Sequence, residues 1–86
     1  MKSFEYTVTS PLGLHARPAG ALVKTAKSYP GTEITLERNG KTVNCTYLLK
    51  LMALGIKHGD TVKINVSGKN EDSVSVDIEK FFRENF

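Results

Sequence analysis

Apolar residues recur along this chain with two different periods, and the order of those periods is what most restricts its fold. Three segments alternate apolar with polar residues, the pattern of a half-buried strand, over residues 2–8, 32–38 and 61–67. Asn39-Gly40 is a hairpin signal, because both residues tolerate the positive φ of a type I′ turn, and it predicts a return strand over 41–44. The sequence therefore predicts four short strands.

Three other segments have the spacing of an amphipathic helix. The first is predicted over 16–28, with Pro18 in the first turn, where its missing N–H costs nothing. A short helix is predicted over 47–54 and closed by Gly55, and a last one starts near Asn70, a predicted N-cap. Their inward-facing residues are Ala19, Leu22, Val23, Ala26, Leu51, Leu54, Val74, Ile78, Phe81 and Phe82. The order βαββαβα predicts an α+β fold, in which three helices cover one face of a four-stranded, mainly antiparallel sheet.

Composition narrows the class of protein. The 86 residues are enough for one small domain over 1–86 and too few for two. The single cysteine, Cys45, excludes an internal disulfide and a cysteine-based metal site, and it fits a reducing compartment. No apolar run suggests a signal peptide or a membrane span, so we expect a cytoplasmic protein. The net charge of +3 suits either an acidic partner or an ordinary solvated surface.

The candidate functional residues lie in one segment, Gly13-Leu14-His15-Ala16-Arg17-Pro18-Ala19. His15 lies where a loop meets the predicted helix, and the first N–H groups of that helix, at Ala16 and Arg17, have no partner within it. These groups and the helix dipole make an anion site, to which Arg17 adds a fixed positive charge. The dipole disfavours a protonated ring, so His15 is a candidate phosphoryl acceptor. In the alternative interpretation, His15 only caps the helix and Arg17 is a solvated side chain.

This segment resembles the active-site motif of the HPr family, the histidine-containing phosphocarrier proteins of the phosphoenolpyruvate:sugar phosphotransferase system. The similarity continues through residues 39–44 and 54–56 and through the order of the elements, so it spans nearly the whole chain. It implies an open-faced β-sandwich, a phosphoryl group carried on Nδ1 of His15, and Arg17 as its stabiliser. It also implies a stoichiometric carrier rather than an enzyme, without a cofactor. Enzyme I would be the donor, and the IIA domains of sugar permeases would be the acceptors.

Two features depart from the family pattern. Many members from Gram-positive bacteria carry a regulatory serine at the start of the second helix, and Tyr47 occupies that position here. The hydroxyl of Thr46 lies one place early, so regulation by the bifunctional serine kinase is not expected at the usual place. Pro30-Gly31 lengthens the loop after the first helix by one residue.

The helix predicted over 47–54 has a second apolar face, formed by Leu48, Leu49 and Met52. One interpretation is that these residues are core like the rest of the helix. In HPr-like proteins this face is exposed and docks partners beside the histidine. The resemblance then assigns to the partner surface Leu48, Leu49, Met52, Gly20, Lys24 and Lys27. We expect a monomer that makes transient contacts through this surface.

Three other functions compete with that of a phosphocarrier. A small RNA-binding module is one, but Ile34, Leu36 and Val43 stand where such a domain carries aromatic stacking residues, so no nucleic acid is expected. An acylphosphatase-like hydrolase and a regulatory, nitrogen-related paralogue of HPr are the others. No second residue has the spacing to complete a metal site with His15. His58, beside Gly59 in a predicted turn, is interpreted as an ordinary surface histidine.

Overall fold

Seven elements follow one another in the computed structural model, which describes all residues 1–86. They are β1 (Lys2–Thr7), α1 (Ala16–Lys27), β2 (Thr32–Arg38), β3 (Lys41–Asn44), α2 (Leu48–Ala53), β4 (Thr61–Gly68) and α3 (Glu71–Asn85). The predicted order βαββαβα is confirmed, and the ends of the elements differ from the prediction by a residue or so. Helix α1 begins at the expected place, and Gly55, with φ +63°, follows the C-cap of α2 as predicted.

The four strands form one antiparallel sheet in the order β1-β4-β2-β3. Phe4 lies opposite Ile64, Ile64 opposite Leu36, and Leu36 opposite Val43, so one apolar row crosses all four strands. Because side chains alternate along a strand, the next row points to the other face. That row is polar and consists of Glu5, Lys63, Glu37 and Thr42. The apolar face is covered by the helices, and the polar face is open, which is the predicted open-faced sandwich.

The core lies between the sheet and the three helices. Phe82 of α3 is fully buried and makes edge contacts with the rings of Phe4 and Tyr6 on β1. Phe86, which sequence reasoning did not place in the core, is also buried and packs against Phe82. Burial raises the pKa of the Cys45 thiol to about 12, so the cysteine packs as an apolar side chain.

Some predicted inward-facing residues are only half-buried at the margin of the core: Val23, Leu54 and Phe81. A different correction concerns Asn70. It stands at the N-cap of α3, but its backbone is left-handed (φ +56°) and its side chain makes no capping hydrogen bond. Side-chain capping requires an extended backbone at that position, so the capping role predicted for Asn70 is wrong. No helix combines the length and the apolar composition that a bilayer crossing requires.

Candidate functional site

His15 occupies the N-cap of α1 with an extended backbone (φ −95°, ψ 167°). Its carbonyl oxygen accepts the N–H of Ala19 at 3.0 Å, so the backbone of His15 begins the helix. Its half-buried side chain makes no capping hydrogen bond. The interpretation that the His15 side chain serves as a helix cap is therefore wrong, and the ring is left for another purpose.

The ring of His15 contacts the loop before the helix. Nδ1 lies 3.1 Å from the carbonyl oxygen of Gly13. A carbonyl oxygen can only accept a hydrogen bond, so in this arrangement Nδ1 bears the hydrogen and the lone pair of a neutral ring is on Nε2. A lone pair on Nδ1 becomes available only when the ring leaves this contact.

The first turn of α1 is open to an external anion. The backbone N–H groups of Ala16 and Arg17 donate to no group of the protein, and both residues are exposed. Arg17 forms no ion pair, and the first turn of the helix contains no acidic residue. Two free donors and the positive end of the helix dipole thus follow directly after His15, and Arg17 adds a fixed positive charge in the same turn.

The loop before α1 is fixed by backbone contacts with distant parts of the chain. The N–H of Leu14 donates to the carbonyl oxygen of Ile56 at 3.1 Å, and Leu14 is buried. Gly13 has φ +66°, and a Cβ there would lie 2.4 Å from the same Ile56 oxygen, so only glycine fits. The N–H groups of Thr9 and Ser10 both donate to the carbonyl oxygen of Phe86 at 2.7 Å. Sequence reasoning missed Ile56 and Phe86 because no local pattern links them to the loop.

The site lies on an open surface. None of the four cavities of the protein is lined by His15 or Arg17. His58 is exposed in the turn between α2 and β4, as expected, and no three His, Cys, Asp or Glu side chains come together as a metal site would need. The His15 ring is thus half-buried against its loop and is not enclosed in a cavity.

Comparison with known proteins decides the family. The family described as "PTS HPr component phosphorylation site" matches residues 2–84. The chain therefore belongs to the HPr family.

Solved structures of the family have the same fold. HPr-C-His from Thermoanaerobacter tengcongensis superposes with a TM-score of 0.91 at 30% identity, over 100% of this chain and 96% of that one. Phosphocarrier protein HPr from Bacillus anthracis superposes with a TM-score of 0.85 at 27% identity, over 94% of this chain and 95% of that one. An HPr dimer from T. tengcongensis gives 0.65 at 34% identity, over 94% and 98%. The resemblance found in the sequence is confirmed for the family and the fold.

The second apolar face of α2 is exposed in this HPr-family chain. Leu49 is 83% exposed, Leu48 37% and Met52 36%, whereas Leu51 on the opposite side is fully buried. The interpretation that all of these residues are core is therefore wrong. A groove of about 510 Å³ runs between α1 and α2 and is lined by Val23, Lys27, Thr46, Tyr47, Leu48, Leu49 and Lys50. We call it the α1–α2 groove.

The structure does not bring every expected partner residue to the α1–α2 groove. Met52, Gly20 and Lys24 are not among its lining residues. A Cβ at Gly20 would meet nothing within 4 Å, so Gly20 lies on the outer surface of α1. The groove contacts the C-terminal end of α1, at Lys27, while His15 is at the other end. With a rise of about 1.5 Å per residue, the two ends of this helix are roughly 16 Å apart.

Tyr47 and Thr46 lie at the start of α2. Tyr47 is the N-cap residue and is 55% exposed, and the ammonium of Lys50 lies 5.1 Å from its ring centroid, a cation–π contact. The hydroxyl of Thr46 donates to Oδ1 of Asn44 at 2.8 Å, and its N–H donates to the same atom at 3.0 Å. Both polar groups of Thr46 are thus engaged within the chain.

Charge is unevenly distributed along the HPr-family chain. Residues 6–32 and 38–59, which include α1 and α2, contain no Asp or Glu, and all nine acidic residues lie elsewhere. The charged residues of these two segments are all basic: Arg17, Lys24, Lys27, Arg38, Lys41, Lys50 and Lys57. The segments that contain His15 and all residues lining the α1–α2 groove therefore carry positive charges only.

Proposed function

We propose that this chain accepts a phosphoryl group on His15 from enzyme I and passes it to IIA domains of sugar permeases. The observation that supports this most directly is the juxtaposition at the start of α1. The half-buried imidazole of His15 directly precedes two unpaired N–H groups, at Ala16 and Arg17, and the guanidinium of Arg17 forms no ion pair. Such an arrangement stabilises negative charge on a group attached to the ring.

The transfer step uses the ring as a nucleophile and needs no cofactor. The Nδ1–H···O contact with Gly13 opens and the proton moves to Nε2, which leaves a lone pair on Nδ1. That lone pair attacks phosphorus as the bond between phosphorus and the donor breaks. The phosphoryl group is thereby transferred to Nδ1, and the electron pair of the broken bond returns to the donor. The N–H groups of Ala16 and Arg17 and the Arg17 guanidinium then bind the phosphoryl oxygens. Attack by an acceptor on the same phosphorus restores the free ring, so each molecule carries one group at a time.

Protein partners, rather than small molecules, suit this surface. The α1–α2 groove offers Leu48 and Leu49, and the two acid-free segments around it favour an acidic partner. A relay needs rapid release, which a small interface provides. We propose that the chain acts as a monomer in these contacts, which light scattering across a concentration series tests directly.

The decisive experiment is to incubate the protein with labelled phosphoenolpyruvate and enzyme I and to map the labelled atom. We expect one label per chain on His15, stable in base and lost in acid, with ³¹P–¹⁵N correlation locating it on Nδ1. His15→Ala should take up no label, and His58→Ala, which removes the other histidine, should behave as wild type. Label retained in His15→Ala at the wild-type rate contradicts the proposal.

Transfer onward separates the sugar-transport carrier from a regulatory member of the family. We expect the labelled protein to pass its group to sugar-specific IIA domains; transfer only to nitrogen-related acceptors would favour the regulatory alternative. We also expect no stoichiometric modification by the ATP-dependent serine kinase at the start of α2. Tyr47 replaces the required serine there, and the Thr46 hydroxyl is engaged with Asn44. Mass mapping after kinase treatment checks this, and a full phosphate on Thr46 or Tyr47 contradicts it.

A further inference from the structure

Arg38 ends β2 and reaches across to the segment that follows α2. Its Nη1 donates to the carbonyl oxygen of Leu54 at 2.9 Å, and its Nη2 lies 2.9 Å from Oδ2 of Asp60. Both side chains of the ion pair are about three-quarters buried. One guanidinium thus holds the start and the end of the segment 54–60, an arrangement that suits the fixed, planar donors of an arginine.

The segment is closed by the same carboxylate. Oδ2 of Asp60 also accepts the N–H of Lys57 at 2.8 Å, while the N–H of Asp60 donates to the carbonyl oxygen of Lys57 at 3.0 Å. A charge-assisted pair that shares its acceptor with a backbone N–H restrains both groups. Arg38 is therefore one of the groups that restrain the residues between Leu54 and Asp60, together with the backbone of Val8, which bonds to Gly59 and Asp60.

The loop that carries His15 rests on the middle of this segment. The carbonyl oxygen of Ile56 accepts the N–H of Leu14 at 3.1 Å, and the close approach of Gly13 to the same oxygen leaves no room for a side chain. Gly13 in turn presents the carbonyl oxygen that lies 3.1 Å from Nδ1 of His15. Each step from Arg38 to the imidazole is either a direct contact between named atoms or a backbone link between residues one or two apart in the chain.

We propose that Arg38 is a positioning residue for His15, acting through the segment 54–60 and the backbone of Gly13 and Leu14; the proposal rests on His15 being the phosphoryl acceptor. Arg38 sets the place of the Ile56 carbonyl, which sets the loop, which sets the ring contact that must open for transfer. A misplacement of a reacting group by a fraction of an ångström is enough to change a transfer rate.

The test combines a spectroscopic reading of the ring with a rate. In Arg38→Gln we expect the ¹⁵N shifts of His15 to report a mixture of tautomers instead of Nδ1–H alone. Single-turnover phosphoryl uptake from enzyme I should slow by about threefold to thirtyfold, because the displaced loop no longer holds the ring in a fixed orientation at the start of α1. Arg38→Lys, which can satisfy one of the two acceptors, should partly restore both the wild-type shifts and the wild-type rate. The matched control is Arg83→Gln, which removes an exposed arginine paired with Glu79 at 3.5 Å on α3; it should leave the shifts and the rate unchanged.

Unchanged His15 shifts with a wild-type uptake rate in Arg38→Gln overturn the proposal, even if the melting temperature falls. If that variant does not fold, Asp60→Asn decides on the same two measurements: changes in the same direction support the proposal and wild-type values reject it. The shifts are read without any phosphoryl donor. If His15→Ala still takes up label, His15 is not the phosphoryl acceptor. The effect of Arg38 on the shifts of the His15 ring is measured independently of that result.

Discussion

The N-termini of the two long helices, α1 and α3, are built in opposite ways. Neither N-cap residue, His15 or Asn70, makes a side-chain cap. The first turn of α3 contains Glu71 and Asp72, whereas that of α1 contains no acidic residue and has Arg17 instead. Asn70 is left-handed and exposed, while His15 is extended and half-buried against its loop.

The chain itself supplies the negative charge that the dipole of α3 attracts. Oε1 of Glu71 accepts the N–H of Gly68 at 3.2 Å, and Oε2 lies 2.8 Å from the Met1 ammonium. Two hydrogen bonds lower the pKa of the Glu71 carboxyl: the larger effect comes from the Met1 ammonium and the smaller from the N–H of Gly68. At α1 the corresponding charge is absent, so an external anion can take its place. A helix N-terminus becomes an anion site only when its first turn is left without carboxylates of its own.

The largest effect is expected from removing the charge that distinguishes α1. Arg17→Ala should slow phosphoryl transfer by about 10–1000-fold, the loss of one charge-assisted contact worth roughly 1.5–4 kcal/mol. Folding should barely change, because Arg17 is exposed and unpaired. Single-turnover kinetics and a melting curve check both statements, with Arg83→Ala on α3 as the control. Wild-type kinetics in Arg17→Ala would remove Arg17 from the mechanism.

Converting α1 to the pattern of α3 is the sharpest test of the comparison. Ala16→Glu places a carboxylate in the first turn, which should slow phosphoryl uptake on the order of 10–100-fold because it competes with the incoming anion. The same change should stabilise the helix by about 0.3–1 kcal/mol. Ala16→Gln, which has nearly the same shape without the charge, is the control. Equal rates for the Glu and Gln variants would mean that the absence of acidic residues at α1 has no functional role.

Partner binding provides a second contrast, between α2 and α3. Leu49 on α2 and Val76 on α3 are both exposed apolar residues on helices. Leu49→Glu should weaken binding of enzyme I by about tenfold or more, at ~1.4 kcal/mol per decade, and Val76→Glu should not.

Calorimetry of binding and a melting curve on each variant separate a docking role for Leu49 from a structural one. The stability of Leu49→Glu should stay near that of wild type, because an exposed site leaves no cavity. A loss of roughly 2–5 kcal/mol, the usual cost of a core substitution, would contradict the docking role.

The smallest effect concerns the carboxylate of α3. The pKa of Glu71 in the folded protein lies below its ordinary value. The charged carboxylate therefore stabilises the folded protein at any pH above that ordinary pKa. This contribution is lost as the pH falls through the folded-state pKa. Glu71→Gln should therefore be slightly less stable than wild type near pH 7 and equal to it in acid, with unchanged phosphoryl uptake. Urea unfolding at several pH values checks this against Glu84→Gln, and a difference that persists in acid would contradict it.

Much of this protein could be predicted from local sequence. The period-two and helical segments predict six of the seven elements, because the burial of one face imposes that spacing on any strand or helix, and the Asn39-Gly40 hairpin signal predicts the seventh, β3. The position of His15 at the start of α1 follows from the same reasoning, since the loop residues end where the apolar stripe of α1 begins. The absence of acidic residues near Arg17 is also visible in the sequence itself. These features depend on neighbours within one turn or one strand.

Other features were decided only by the tertiary structure. Three of them join residues that are far apart in the chain: the contact of Leu14 with Ile56, the hydrogen bond and ion pair of Arg38, and the burial of Phe86. The same holds for the left-handed backbone of Asn70, where the turn from β4 into α3 overrides the capping preference of asparagine. Each depends on which distant backbone groups need a hydrogen-bond partner once the sheet and helices have packed. Periodicity predicts which face of an element is buried, but not which carbonyl or carboxylate it meets.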